Sequence, residues 1–136
     1  MSRRKAREMA LQTLFQLDFN QMEQDAAMQA VFAENVTVSK SAKEYAELLV
    51  KGTRDHLAEI DEIISEAAIG WKLDRMAGVD RNITRMAIFE MRFAEETLAP
   101  NVIINEAVEL AKLFGSAETG RFINGILGSL VKKTRK

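Results

Sequence analysis

Cysteine is absent from this sequence of 136 residues, and proline, histidine, tryptophan and tyrosine each occur only once. Disulfide bonds, thiolate metal sites and cysteine nucleophiles are therefore excluded. Long apolar runs are absent as well, since none approaches the roughly 20 residues that span a bilayer. We therefore expect a soluble, cytoplasmic protein that does not associate with a membrane.

Catalytic motifs are equally scarce. His56 is the only histidine, and it continues the apolar positions of a predicted helix. The sequence contains no His-x-x-x-His pair, no glycine-rich phosphate loop and no Gly-x-Ser-x-Gly elbow. Acidic pairs such as Glu95 and Glu96 are adjacent in sequence, so their side chains diverge around a helix. We therefore predict that the chain is not an enzyme, needs no metal or cofactor, and uses His56 structurally.

Charges of opposite sign are separated along the chain, although the formal net charge is only −1. All 20 acidic residues lie between Glu8 and Glu118, and 11 lysines and arginines against these 20 leave −9 over residues 8–131. The remaining cations form two clusters, Arg3, Arg4, Lys5 and Arg7 at the start and Lys132, Lys133, Arg135 and Lys136 at the finish. Such clustering indicates a localised nucleic-acid contact. The second cluster follows the last apolar position and is interpreted as a solvated helix end.

Helix-forming residues dominate throughout, and no segment shows the alternating β-branched pattern of strands. We therefore predict an all-α fold, a single domain over residues 1–136 with about seven helices. In approximate numbers, the predicted elements are helices over 3–19, 23–34 and 41–70, a turn over 71–78, a helix from 80, a helix over 102–114 and a last helix around 122–130.

Local signals set the ends of these helices. Ser41 and Glu44 have the spacing of a capping box, which predicts a helix start at Ser41, and Gly52 predicts a bend in that long helix. Later signals are Asp80 as a cap, Pro100 as a stop and Gly115 as a left-handed helix end.

One edge of the first helix combines cations with an aromatic ring. At about 100° per residue, Arg4, Arg7, Leu11 and Phe15 fall within about 80° of one another. Such an edge offers guanidinium groups to phosphates and a ring to an unstacked base, as in proteins that hold single-stranded RNA. In the alternative interpretation, Phe15 belongs to the core and the arginines are a solubilising end. The pattern by itself leaves both open.

A block over residues 104–127 reads Ile-Asn-Glu-Ala-Val-Glu-Leu-Ala-Lys, then Phe-Gly, then Arg-Phe-Ile-Asn-Gly-Ile-Leu. Interpreted as packing, Gly125 inside a helix predicts a close approach of two backbones. Asn105 and Asn124, which are flanked by apolar residues, are then expected to be buried and hydrogen-bonded.

The same residues, in the same order, resemble the NusB family of bacterial transcription antitermination factors. The resemblance extends upstream to residues 71–76 and 79–91 and to Arg-Arg-Lys-Ala-Arg-Glu over 3–8, and it is weakest over 20–40. It therefore covers nearly the whole chain. The fold that it implies is two small helical bundles packed across each other.

Members of this family bind the single-stranded boxA element of nascent RNA together with ribosomal protein NusE. They help RNA polymerase to resist termination, notably on ribosomal RNA operons. The resemblance therefore implies binding rather than catalysis, with boxA RNA, NusE and the transcription elongation complex as partners. It places the RNA-binding residues at Arg3, Arg4, Lys5, Arg7 and Phe15.

The resemblance also places the partner-binding face at Asp80, Glu118 and Phe122, where two acids would suit a basic ribosomal protein. Many relatives have Tyr at the position of Phe15, so a hydroxyl hydrogen bond is lost here while stacking is retained. Relatives include monomers and dimers, and a homodimer that buries the basic edge of the first helix would compete with RNA.

Two other functions are compatible with parts of the sequence. In the first, the chain is a helical protein-interaction scaffold, the acidic body binds the partner and the cations are incidental. In the second, it is a fragment of an RNA methyltransferase, because similar helical domains precede such catalytic domains. The sequence has no room for a cofactor-binding α/β domain, which disfavours the second.

Overall fold

The computed structural model describes residues 3–19, 22–67, 76, 78–94 and 98–134, with only the backbone at 132–134. Within these ranges the chain forms seven α-helices, one π-helical turn and no strand. The helices are α1 Arg3–Phe19, α2 Gln24–Ala33, α3 Lys40–Asp55, α4 Leu57–Ala67, α5 Gly78–Ile88, α6 Pro100–Phe114 and α7 Ala117–Thr134. The all-α prediction is confirmed.

The helices pack in two groups. In the first group, helix α1 contacts α2 and α3. In the second group, α6 contacts α5 and α7, and α4 also packs on α5 and α7. Helix α1 also contacts α5, and a continuous cluster of buried apolar side chains joins the groups. Its most deeply buried members include Met9, Leu11, Leu49, Ile60, Ile83, Ile103, Ile123 and Leu127. Each such side chain stabilises the fold by roughly 1.5–3 kcal/mol relative to an exposed position.

The single long helix predicted over 41–70 is wrong, because α3 and α4 meet at His56. His56 departs from helical geometry, with φ −108° and ψ 19°, although its N–H still donates to the Gly52 carbonyl at 3.1 Å. The imidazole stacks on Phe93 with ring centroids 4.4 Å apart, and its Nδ1 lies 3.4 Å from Glu59 Oε1. These contacts confirm a structural role for His56.

Two helices begin before the residues that were expected to cap them. Ser39, not Ser41, caps α3, since its Oγ accepts the N–H of Ala42 at 3.2 Å. Only Ser41 has the capping-box spacing, since the third residue after Ser39 is Ala42. Ser39 is nevertheless the cap because its backbone is extended, at φ −62° and ψ 154°, whereas Ser41 already lies inside the helix. Helix α5 begins at Gly78, so Asp80 lies inside its first turn, where the helix dipole favours a carboxylate.

The ends of α6 also differ from their predicted conformations. Pro100 begins this helix rather than only stopping the segment before it, because the N–H that proline lacks has no helical partner in the first turn. Gly115 follows α6 with φ −126° and ψ −132°, so the left-handed end is wrong. Crowding explains the glycine, since a Cβ there would lie 2.9 Å from Thr119 Oγ1 and 3.0 Å from the Ala111 carbonyl oxygen.

The packing interpretation of residues 104–127 is wrong at three positions. A Cβ on Gly125 would meet no atom within 4 Å, and Asn105 and Asn124 are exposed. These residues therefore have no packing role. The predicted turn over 71–78 lies largely outside the described residues, as do the side chains of the carboxy-terminal cations, Lys132, Lys133, Arg135 and Lys136.

Residues Phe89–Phe93 continue α5 as one π-helical turn, which the N–H of Ala94 closes by donating to the Phe89 carbonyl at 3.0 Å. The extra residue in such a turn changes the direction of the side chains that follow. Glu90 becomes buried against α1, and Phe93 reaches His56. The turn therefore contains the acidic side chain that pairs with Arg7 of α1.

Candidate nucleic-acid interface

The first turn of α1 carries a cationic face, which we define as Arg3, Arg4 and Lys5. The Arg4 side chain is 57% exposed and makes a two-point ion pair with Glu106 of α6, at N–O distances of 3.0 and 3.1 Å. The Arg3 guanidinium carbon lies 4.8 Å from the centroid of the Tyr45 ring on α3, within the range of a cation–π contact. Neighbouring helices therefore orient two of the three cations.

Arg7 does not share this face. Its side chain is only 6% exposed, and Nε and Nη2 each donate to the Glu90 carboxylate at 2.8 Å. Burial lowers the pKa of Arg7, but the hydrogen bond and the charge of Glu90 outweigh burial, and the net shift is upward. Arg7 is thus a charged residue of the interior that cannot touch a ligand directly.

Tyr45 connects this buried pair to the cationic face. Its hydroxyl donates to Glu90 Oε2 at 2.7 Å, while its ring lies under Arg3. Burial, followed by the hydrogen bond to Glu90, raises the pKa of Tyr45, which keeps the hydroxyl protonated as a donor. The chain of contacts from Arg7 through Glu90 and Tyr45 to Arg3 therefore links the interior to the surface.

The edge predicted for α1 is divided by this packing. Arg4 and Phe15 are exposed, whereas Arg7 and Leu11 are buried, so the expectation of one continuous accessible edge is wrong. Arg4 and Phe15 are eleven positions apart, or roughly 16 Å along the helix axis. Leu11 is buried, so it adds no apolar contact to the basic edge that a homodimer would cover.

Phe15 lies at the edge of an apolar groove. The residue is 38% exposed, and the Phe19 ring centroid lies 4.8 Å from its own. A Cβ on Gly78 would lie 3.3 Å from the Phe15 ring, so the start of α5 closes one side. The groove has a volume of about 350 Å³, and Val79 and Phe114 also line it. Phe15 therefore keeps an open part of its ring beside a cavity.

Asp80, Glu118 and Phe122 lie near the helix starts where they were expected. Asp80 is half-buried in the first turn of α5, Glu118 is exposed in the first turn of α7, and Phe122 is half-buried one turn later, against the core. Val79, which precedes Asp80, and Phe114, four residues before Glu118, line the groove beside Phe15. The predicted partner face is thus adjacent in the chain to the walls of that groove.

The Arg4–Glu106 ion pair predicts a measurable pKa change. The hydrogen bond from Arg4 lowers the pKa of Glu106, against the opposing effect of burial, and the Arg4 charge lowers it further. Because the folded pKa lies below the unfolded one, the pair stabilises the fold above the unfolded pKa and is lost as pH falls through the folded pKa. We expect Arg4→Ala to raise the Glu106 pKa in an NMR titration, and Lys5→Ala to leave it nearly unchanged. An unmoved Glu106 pKa in Arg4→Ala would mean that the pair does not form in solution.

Sequence reasoning missed the side chains that orient the cationic face, namely Tyr45, Glu90 and Glu106. Their partners lie far away in sequence, 102 residues for Arg4 and Glu106 and 83 for Arg7 and Glu90. One signal was available, because Glu90 is a carboxylate within the apolar run Ile-Phe-Glu-Met over 88–91. A charged residue in such a run needs a buried partner.

An all-helical chain with a cationic helix end, at which Arg4 is exposed and Arg3 and Lys5 are half-buried, and with an aromatic groove on the same helix belongs to the class of helical binding proteins. The described residues hold no group of three or more His, Asp or Glu able to bind a metal, and no described helix is long and apolar enough to cross a membrane. Residues 4–132 match the NusB family, and the chain belongs to it.

Similar proteins support this membership over nearly the full length. The transcription antitermination protein NusB of Desulforamulus reducens is 48% identical over 131 residues, which are 96% of this chain and 90% of the relative. Since such relatives are antitermination proteins rather than enzymes, the family and the non-enzymatic nature predicted from the sequence are both confirmed.

Solved structures are similar as well. NusB of T. maritima has a TM-score of 0.88 at 34% identity, over 97% of this chain and 92% of that one. A crystal structure of antitermination factors NusB and NusE in complex with dsRNA contains a chain with a TM-score of 0.86 at 30% identity, over 96% of each chain. The predicted NusB-like fold is confirmed.

Proposed function

We propose that this chain is a transcription antitermination factor that binds single-stranded boxA RNA together with ribosomal protein NusE. It acts in the cytoplasm within a transcription elongation complex and promotes processive transcription of ribosomal RNA operons. The observation that carries the proposal is the cationic face of α1, oriented by α3 and α6, in a family with a solved complex of NusB, NusE and RNA.

In this proposal Arg3, Arg4 and Lys5 contact phosphates, and Phe15 stacks on a base. The face stands at one end of a chain whose residues 8–131 carry −9, so a polyanion is directed toward it. An exposed ring favours single strands, because only unpaired bases can lie flat on it. Arg7 supports this segment indirectly, by holding Glu90.

NusE is proposed to contact Asp80, Glu118 and Phe122. Two carboxylates at helix starts attract a basic ribosomal protein, and Phe122 supplies apolar contact. Exposed ion pairs contribute little affinity individually. RNA and NusE bound side by side reinforce each other, so neither contact has to be tight by itself.

The cationic face can be tested by removing its three charges together. The triple variant Arg3→Ala, Arg4→Ala, Lys5→Ala is expected to lose roughly tenfold or more in affinity for single-stranded boxA RNA at low salt. Three phosphate contacts give the unmodified protein a slope of about −2 in a plot of log affinity against log salt, and the variant a flatter one. Fluorescence anisotropy over a salt series, with and without NusE, measures both quantities.

The matched control removes three exposed cations of α3, Lys40, Lys51 and Arg54, and changes the net charge equally. It is expected to keep most of the affinity and slope. Phe15→Ala should weaken binding to single-stranded RNA more than to double-stranded RNA, with no change in slope. Equal losses in the two triple variants would contradict the assignment of the face. Failure of the unmodified chain to retain RNA, with or without NusE, would favour the protein-interaction scaffold.

A further inference from the structure

A second, polar groove opens beside Arg4, between α6 and the first turns of α7. Its volume is about 1010 Å³, at or above the upper end of small-molecule pockets, which span roughly 300–1,000 Å³. Small or short side chains form part of its lining, namely Val108, Ala117 and Gly120, and a Cβ on Gly120 would lie 3.6 Å from Val108. An open groove of this size suits a segment of a polymer.

The groove carries a local excess of positive charge. Arg4, Lys112 and Arg121 line it together with Glu106 and Glu109, which gives a formal charge of +1. Both carboxylates are held by cations, Glu106 by Arg4 and Glu109 by Lys112 at 3.2 Å. Arg121 is exposed and makes no ion pair within the described part of the chain. The groove therefore carries a small net positive charge, from Arg121, on an otherwise acidic body.

Two amides also line the groove, Asn105 from α6 and Asn124 from α7. Both are exposed, and neither side chain hydrogen-bonds to another described residue. An amide presents a donor and an acceptor side by side, which complements the edge of an unpaired base. Since the fold does not use these amides, they are available to a ligand.

We propose that this groove is an RNA subsite that continues from the cationic face, in which Asn105 and Asn124 select bases. The inference rests on the proposed function and adds to it a site at which the protein recognises the base sequence of the RNA. Arg4 lines both surfaces, so a strand with a phosphate at Arg4 can pass into the groove without leaving the protein. Lys112 and Arg121 hold the backbone there, and the amides face the bases.

The test compares boxA RNA with a base-shuffled single-stranded RNA of the same length. The double variant Asn105→Ala, Asn124→Ala is expected to lose roughly tenfold in affinity for boxA RNA and nothing for the shuffled RNA, with an unchanged salt slope. Arg121→Ala, by contrast, should lower the affinity for both RNAs alike and flatten the salt slope of log affinity by about 0.7. Base selection and phosphate binding are thereby separated.

Asn101→Ala is the matched control, because Asn101 is an exposed amide of α6 that does not line the groove. It should bind both RNAs as the unmodified protein does. If the double variant loses affinity equally for both RNAs, or for neither, the subsite is overturned and the proposed function is left intact. If the unmodified chain binds neither RNA, the proposed function fails first, and the subsite fails with it.

Discussion

Glu90→Ala is expected to lower the free energy of unfolding by about 3–5 kcal/mol, because it leaves the Arg7 guanidinium buried without a counter-charge. The Glu90 side chain is only 2% exposed and accepts hydrogen bonds from two groups of Arg7 and from the Tyr45 hydroxyl. At about 3 °C per kcal/mol for a chain of this size, Tm falls by roughly 10 °C. Urea and thermal unfolding, followed by circular dichroism, measure the loss.

Two controls separate the buried charge from general damage. Glu47→Ala removes an exposed carboxylate of α3 and should change stability by no more than about 0.5 kcal/mol. The double variant Arg7→Met, Glu90→Leu removes both charges. Its loss of unfolding free energy should be far smaller than the sum of the losses in the two single variants, because no charge is left unpaired. A loss below about 1 kcal/mol in Glu90→Ala would contradict a buried ion pair at this position.

The same ion pair ties stability to the RNA-binding segment. Glu90 fixes the Tyr45 hydroxyl, and the Tyr45 ring orients Arg3. A cation held in one geometry loses less conformational entropy when it binds a phosphate than a free side chain does. The interior of the protein therefore contributes to the proposed RNA contact, although none of Arg7, Glu90 and the Tyr45 hydroxyl belongs to the cationic face.

Periodicity predicted the helices whose apolar stripe is long and whose ends carry polar signals. The first two predicted helices, over 3–19 and 23–34, agree closely with α1 and α2. The break at His56 was not predicted because the apolar positions of α4 continue the periodicity of those in α3, and because the stacking partner Phe93 lies 37 residues further along the chain. The π-helical turn was not predicted because no proline or other local sequence signal marks it.

Composition predicted the cationic cluster but not which of its members is accessible. Arg4 and Arg7 lie about 60° apart around an ideal helix, so the pattern treats them as equivalent. Their partners distinguish them, since Glu106 meets Arg4 at the surface while Glu90 draws Arg7 inside. Those partners are set by the packing of α5 and α6 on α1. A helical wheel of α1 shows only the residues of α1 and so cannot predict them.

Gly52→Ala is expected to destabilise the protein by about 1–3 kcal/mol, although the same change inside a helix ordinarily stabilises by about 0.5–1 kcal/mol. A Cβ at Gly52 would overlap the ring of Phe89, which is 4% exposed and begins the π-helical turn.

The sign of this effect can be checked against a glycine in open space. Gly125→Ala in α7 is the control, since its Cβ meets no atom within 4 Å, and it should be neutral or stabilising. Urea unfolding of both variants gives the comparison, and a stabilised Gly52→Ala would contradict the close packing of α3 on the π-helical turn. Because Phe89 and Glu90 are adjacent residues of that turn, a displaced Phe89 ring should weaken the Arg7 ion pair as well, so the losses from Gly52→Ala and Glu90→Ala should not be additive.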